Sequence, residues 1–495
     1  MLWYTTIGVA SVLLVVMLMS EARGEHPDFV RIEVGDDFQA VVDANPPGTI
    51  YKIARGIHRL VSVKPEDGDR IIGEYGAILR GSKVLEAADA HQDEDREDLF
   101  YWEDQDQQSV SPMEWGAAAN EGHEREVYYG NELFVDGERY RHVQDLEGVD
   151  RPGTWYFDYE AGRIYMHGDP TDRLVETSVT TVAFDLDGTR NVTIENLYIQ
   201  HYTNAIRPQG VIRARESQHA TIRYVDISYN HAAGLQVGQH MTVENSRFTH
   251  NGQIGVVGSA SHQPVYFRFN EVAYNLALGF EAGAEGGAVK FVHSRNGLYE
   301  HNWIHSNNGY AFWWDIGNRG DVIRSNLVEG GSQRRGIFYE ISGRSGNPAR
   351  IYWNIVRDND ESGIHISNST NVSIFENAVS GSPVGIVASE NNRSPHLNEF
   401  RIWSNEIAGV EAQIQIYGSA GDAHRVELID GNIYRGGNVF RWLNQHGLSF
   451  EQWRGVGHDG DSAFEESGAP QLPEHAIPFT RSHYGPIDEP ALNGR

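Results

Sequence analysis

Residues 286–342 read GGAVKFVHSRNGLYEHNWIHSNNGYAFWWDIGNRGDVIRSNLVEGGSQRRGIFYEIS. Three short runs in this stretch, Ala288–Ser294, Phe312–Gly317 and Ile337–Ser342, alternate apolar and polar residues with the period of two that marks an extended strand. Lys290, Asp315 and Glu340 recur 25 residues apart, each between apolar neighbours, so each is expected on the strand face opposite the buried one. Such a charge either sits in water or lines a site.

The pattern extends outward. From Asn191 on, Asn196, Asp226, Asn245, Asn270, Asn302, Asn326, Asn354, Asn377, Asn405 and Asn432 each precede a short apolar pair, at intervals of 19 to 32 residues. Imperfect repeats of this length built from short strands indicate a solenoid, and neither the regular leucines of a leucine-rich repeat nor the longer period of a propeller is present. Asn at a fixed place in each turn fits a left-handed bend, and stacked Asn side chains can bond one another. The expected fold is all-β, a right-handed parallel β-helix.

Around this solenoid the chain divides as follows. Residues 1–23, with the apolar run 2–19 and small residues near Ala22–Gly24, read as a secretory signal. Residues 24–84 are expected to hold a capping helix near Asp36–Asp43 and the first coils. Residues 85–180 read as an acidic surface insertion followed by a small antiparallel β module, with Asp136-Gly137 as a hairpin turn. Residues 181–440 form the solenoid with its groove, and 441–495 a tail covering its last coil. The chain has no cysteine, so neither a disulfide nor a thiolate metal site is available.

A formal charge of −29 suits an exported, water-facing surface and argues against a nucleic-acid partner. The expected location is periplasmic or extracellular, off the membrane once the signal is removed. Against 36 arginines there are four lysines, and Lys290 is the only one after Lys83. A compact point charge kept where Arg serves elsewhere marks Lys290 as a candidate.

In a parallel solenoid, equivalent residues of successive coils stack about 4.8 Å apart. If Asp315 and Glu340 share a rung, their carboxyl groups lie near the spacing of about 5–5.5 Å typical of retaining glycosidases; a two-residue slip would move them toward the inverting range. Adjacent carboxylates repel, which favours a proton on one of them, and Lys290 would keep the other ionised. Trp313, two residues before Asp315, offers an apolar surface to a sugar ring, and His365 lies 25 residues beyond Glu340. His365 shifts by two residues when aligned by the preceding glycine. The bland alternative is a charge ladder of modest stabilising value. His293 is expected to point inward, and Asp321 and Glu329 to be solvated. No metal ligands are assigned.

The block GGAVKFVHS, WIHSNNGYAFWWDIG and NLVEGGSQRRGIFYEIS resembles secreted right-handed β-helix proteins related to polysaccharide lyases and β-helix glycoside hydrolases. It is most similar to the β-helix β-xylosidases of glycoside hydrolase family 120, and PPGTIYKIARGIHR, GDRIIGEYGAILRGS and FVDGERY resemble the entry coils and insert of such proteins. The resemblance implies Asp315 as nucleophile, Glu340 as acid/base and Glu285 as an upstream partner in a retaining hydrolase of plant or algal saccharides. It leaves open a β-eliminating lyase of uronic-acid polymers using Lys290 and a bound Ca²⁺, with arginines such as Arg335 nearby in turns. It also leaves open a glycan-binding solenoid without catalysis. The hydrolase reading requires no cofactor, and the partner expected in all three is a carbohydrate.

Overall fold

The computed structural model describes residues 29–472, apart from 110–117, 207–208, 260–261, 332, 345 and 419–425. The expected signal and the end of the tail lie outside the described residues. Three long sheets of 13, 12 and 13 strands run side by side, and each coil adds one strand to each sheet. One coil shows the plan: Leu298–Glu300, Trp303–His305 and Tyr310–Asp315 pair in parallel with Val322–Arg324, Leu327–Glu329 and Arg335–Glu340 of the next. This is the expected parallel β-helix. Its interior is a continuous apolar column that includes Phe291, Phe312, Trp314, Ile337 and Tyr339.

The asparagines stack and bond one another as expected, but in the later coils they do not themselves make the left-handed bend. The left-handed residues are those just before them: Phe269, His301, Ser325, Trp353, Glu376 and Ser404 have φ between 52° and 58°. The Asn that follows turns inward. The Nδ2 of Asn302 donates to Asn326 Oδ1 at 2.9 Å, that of Asn326 to Asn354 at 2.9 Å, and that of Asn354 to Asn377 at 2.9 Å. Such a ladder satisfies buried polar groups at a corner where the sheet bond pattern lapses. In the early coils Asn196 and Asn245 themselves occupy the left-handed position, and Asp226 begins a strand. A second ladder at the next corner joins Asn230, Asn251, Asn275 and Asn307.

The ends are closed. Helix Phe38–Asp43, capped by the Asp37 side chain, lays Phe38 against Tyr51 and Phe184. At the far end helix Phe450–Arg454, with a capping box at Ser449, buries Trp453 against Phe440 and Trp442. Both helices cover core that would otherwise meet water.

The insert is an eight-stranded, largely antiparallel sheet drawn from Ser82–Leu85 through Val175–Ser178, with its own core of Trp102, Trp155, Phe157 and Met166. The acidic stretch read as a surface insertion contributes two of its strands, His91–Gln92 and Leu99–Trp102. The insert docks on the solenoid through a buried Glu176, held by Arg59, Arg80 and Ser82, and through Phe134 stacked 3.6 Å from His201. Further on, Ala119 bridges to Phe280 and Glu281 donates its N–H to Ala118 O at 2.7 Å. The insert thereby braces the segment that leads to Glu285.

Candidate functional site

The strands of the 12-stranded sheet that matter here are Gly287–Val292, Tyr310–Asp315, Arg335–Glu340, Ser362–Ser367, Val384–Ser389 and Ala412–Tyr417. The first three differ from the sequence reading in their ends, each beginning and stopping earlier. The second and third stop at the carboxylates, because Ile316 and Ile341 adopt φ of 44° and 45°. A β-branched residue in the left-handed region is costly, on the order of 1–3 kcal/mol. The chain therefore bends sharply just after Asp315 and Glu340, which leaves both carboxylates at the rim of the sheet. An Ile after each acid reads in sequence as more strand, so the bend was hidden.

Asp315 pairs with Glu340, which fixes the rung that sequence left open between same-rung and slipped pairing. Lys290 is off that rung. It pairs with Trp313, and Val292 pairs with Asp315, so the equal 25-residue spacing does not give equal register. The first coil turns with two fewer residues between the strands. Lys290 reaches Asp315 diagonally, its Nζ 2.9 Å from Asp315 Oδ2 and 2.6 Å from Glu285 Oε1. Its ammonium also lies 3.7 Å from the centre of the Trp313 ring, a cation–π contact.

That contact corrects the expectation for Trp313. The side chain does lie outside the solenoid core, in a cluster with Tyr310 and Phe338, but it is only 6% exposed and one ring face is covered by Lys290. Trp313 does not offer an open stacking surface. Its indole N–H instead donates to Glu340 Oε2 at 3.2 Å. The other Glu340 oxygen, Oε1, accepts from Arg393 Nη1 at 2.7 Å. Burial and the neighbouring Asp315 push the Glu340 carboxyl above the usual range, against the pull of Arg393 and the Trp313 bond. Asp315 Oδ1 is buried and has no hydrogen-bond partner among the described residues.

Arg335 is not in a turn. It opens strand Arg335–Glu340, pairs with Glu361 at 2.9 Å and lies over the rings of Phe338 and Tyr310. His365 pairs with Phe338, two residues off the Glu340 rung, as the glycine alignment indicated. It is buried, bonds Ser389 Oγ through Nε2 at 2.8 Å, and burial drives its pKa well below the ordinary value.

All seven residues singled out in the sequence, Glu285, Lys290, Trp313, Asp315, Arg335, Glu340 and His365, line one open pocket of about 600 Å³. Arg393, Asn391, Ser367, Ser389 and Tyr417 line it too and were missed. Arg393 stands 53 residues from Glu340 on a loop, where no period points to it. Ser367, Ser389 and Tyr417 could have been found by counting coils onward from Glu340.

Two other acids and a histidine need correction. Asp321, expected in solvent, is fully buried inside the solenoid, where Ser294 Oγ and the Gly297 N–H reach its Oδ1 at 2.9 and 3.0 Å. Burial raises its pKa to about 7. Glu329 is only partly exposed and pairs with Arg357. His293, expected inward, sits half-buried in a left-handed turn, 5.1 Å from the ring of His262.

Two family models match the chain: a right handed beta helix region over residues 177–287, and a periplasmic copper-binding protein (NosD) over residues 268–444. The chain folds as a right-handed parallel β-helix. Among solved structures, a complex of XylC with xylose is 12% identical over 89% of this chain and 87% of that one, with a TM-score of 0.66. A mannuronic acid specific polysaccharide family 6 lyase from human gut microbiota is 11% identical over 94% and 97% of the two chains, with a TM-score of 0.45. The A-module of the mannuronan C-5 epimerase AlgE6 of Azotobacter vinelandii is 13% identical over 88% and 97%, with a TM-score of 0.41. At these identities the likeness concerns the fold. No curated protein matches the chain. Among the described residues no group of three or more His, Cys, Asp or Glu is placed to hold a metal.

Proposed function

We propose that this β-helix is an exported, retaining glycoside hydrolase acting on a plant or algal polysaccharide or its oligosaccharides. Asp315 is the nucleophile and Glu340 the acid/base. The observation that carries the reading is the shared rung of Asp315 and Glu340 in one open pocket. Neighbouring strands separate such residues by about 4.8 Å, the spacing of a double displacement rather than of an inverting reaction with its intervening water.

Glu340, its proton favoured by burial, gives that proton to the glycosidic oxygen as the bond to the anomeric carbon breaks. The Asp315 carboxylate attacks the same carbon from the opposite side and forms a glycosyl ester, while Lys290 holds it in place. Glu340, now ionised, takes a proton from water. The water oxygen displaces Asp315, and the sugar leaves with its original configuration. Lys290 is fully occupied between Glu285, Asp315 and the Trp313 face, which favours a role in orienting the nucleophile over that of a free base in a β-elimination. Export accords with the apolar run at residues 2–19 and with the periplasmic description of one matching family.

The test uses gluco-, galacto-, xylo- and uronic-acid oligosaccharides from disaccharide to hexasaccharide, with the matching 4-nitrophenyl glycosides. The xylo-series comes first because of the xylose named for XylC. Asp315→Asn and Glu340→Gln are each expected to lower turnover by roughly 10³-fold or more. Azide should rescue Glu340→Ala on the nitrophenyl substrate and give a glycosyl azide of retained configuration, whereas Asp315→Ala with azide gives the inverted product. Near-parental rates in both variants on a substrate the parent cleaves would reduce the pair to a structural ladder. A product absorbing as an unsaturated uronate would replace the hydrolase with a lyase.

A further inference from the structure

The rung that holds the two carboxylates continues past them. Asp315, Glu340, Ser367, Ser389 and Tyr417 are matched residues of five successive strands. All five line the same pocket. Their side chains change in a definite order: two acids, two small hydroxyl residues, then a tyrosine. The serines leave a shallow polar floor. Tyr417 follows with 38% of its surface exposed, whereas the two serines before it are buried.

The two ends of the pocket are not alike. Before Asp315 it ends against Gly283, Ala284 and Glu285. That segment is fixed from both sides: Glu285 is paired with Lys290, and Phe280 O accepts from Asn120 Nδ2 at 3.2 Å. Beyond Glu340 the walls are Asn391 and Arg393, and the floor runs on to Tyr417. The span from Glu340 to Tyr417 is three strand steps, roughly 14 Å, and each step is close to the length of one pyranose ring.

Chemistry gives this asymmetry a direction. In a double displacement the leaving group departs on the side of the acid, opposite the nucleophile. Asp315 faces the walled end and Glu340 the open one. We infer that the floor from Ser367 to Tyr417 receives the leaving-group portion of a saccharide chain, and that the Tyr417 ring is the platform on which a distal sugar of that portion stacks. This rests on the hydrolase reading and adds to it a polarity and a residue that sets chain-length preference. Aromatic rings serve sugars because their flat apolar faces match the C–H face of a pyranose, while the hydroxyls remain free for groups such as Asn391 and the two serines.

The experiment measures kcat/KM on the disaccharide and the tetrasaccharide of the series that the parent cleaves, in the parent, Tyr417→Ala and Tyr417→Trp, with a label at the reducing end. The parent should gain from the longer chain, with the label released on the longer fragment. Tyr417→Ala should reduce the tetrasaccharide-to-disaccharide ratio by about tenfold, the worth of one aromatic contact, mainly through KM. Tyr417→Trp should keep the ratio. A parent with no gain from chain length, a gain that survives in Tyr417→Ala, or a label on the shorter fragment would each overturn the inference. A parent that cleaves no member of any series would overturn the hydrolase reading itself, which is a different outcome from a cleaving parent with an indifferent Tyr417. Tyr417 is exposed, so unchanged thermal unfolding of the variants guards against a folding artefact.

Discussion

Arg393→Gln is expected to move the alkaline limb of the pH–rate profile upward. In the structure Glu340 is pushed toward its protonated form by burial and by Asp315, and pulled back by Arg393, the Trp313 N–H and Arg335. Removing Arg393 takes away one stabiliser of the ionised form, so Glu340 keeps its proton to higher pH. The pair is close, at 2.7 Å, with the arginine side chain 51% exposed and the glutamate 11%. Two unit charges at that distance would attract by about 1.5 kcal/mol even in bulk water, but exposed pairs yield a net of about 0.2–1 kcal/mol once side-chain ordering and screening are included. The arginine is half in water and the glutamate largely out of it, so about 1 kcal/mol is a reasonable figure, or about 0.7 of a pH unit. The assay is kcat/KM against pH on an unactivated oligosaccharide, where loss of the acid's proton limits the rate. The limb should rise, and added salt should shrink the difference between parent and variant. A limb that stays in place, or moves to lower pH, would refute the assignment of Glu340 as the acid under Arg393 control.

Two further outcomes concern the solenoid. Asp321 has its pKa raised to about 7 in the fold from 3.8, so the stability it contributes is fully present below its unfolded pKa and lost as pH rises through about 7. The span amounts to about 4 kcal/mol. Asp321→Asn, which imitates the protonated acid, should match the parent in thermal unfolding near pH 4 and exceed it near pH 9; a pH-independent difference would contradict this. Asn354→Ala removes one member of a ladder in which Asn354 bonds Asn326, Asn377 and the Ile323 carbonyl. It should cost about 3 kcal/mol in denaturant unfolding, because its buried partners lose their bonds, and a cost under about 1 kcal/mol would mean that the ladder adds little.

The seven candidate residues were legible because a solenoid translates sequence interval into spatial neighbourhood. Outward parity at Lys290, Asp315 and Glu340 depends only on the alternation along each strand, and that alternation survived the errors in strand ends. The register of Lys290 did not survive, because parity is blind to a two-residue shift. Glycine alignment could detect such a shift at His365, because Gly336 and Gly363 are the second residues of their strands in both coils. The solvation of Asp321 was misjudged for a related reason: a charge after Gly320 resembles a surface turn unless the inward groups Ser294, Gly297 and Tyr339 are seen beneath it.

The sequence alone determined the repeat, the outward face of each short strand and hence the set of side chains available to a groove, since these follow from local alternation and from corner residues that recur coil by coil. Tertiary structure decided what joins those residues into chemistry. Which coil is offset from which depends on the packing of turns of unequal length. The bend after each carboxylate is held by bonds to the next coil, as in Ile316 N–H to Glu340 O. The arginine partner of Glu340 comes from a loop 53 residues away, and the segment leading to Glu285 is braced by a loop of the insert well over a hundred residues earlier. Such contacts are made through space between segments that share no period, so no local pattern in the chain encodes them.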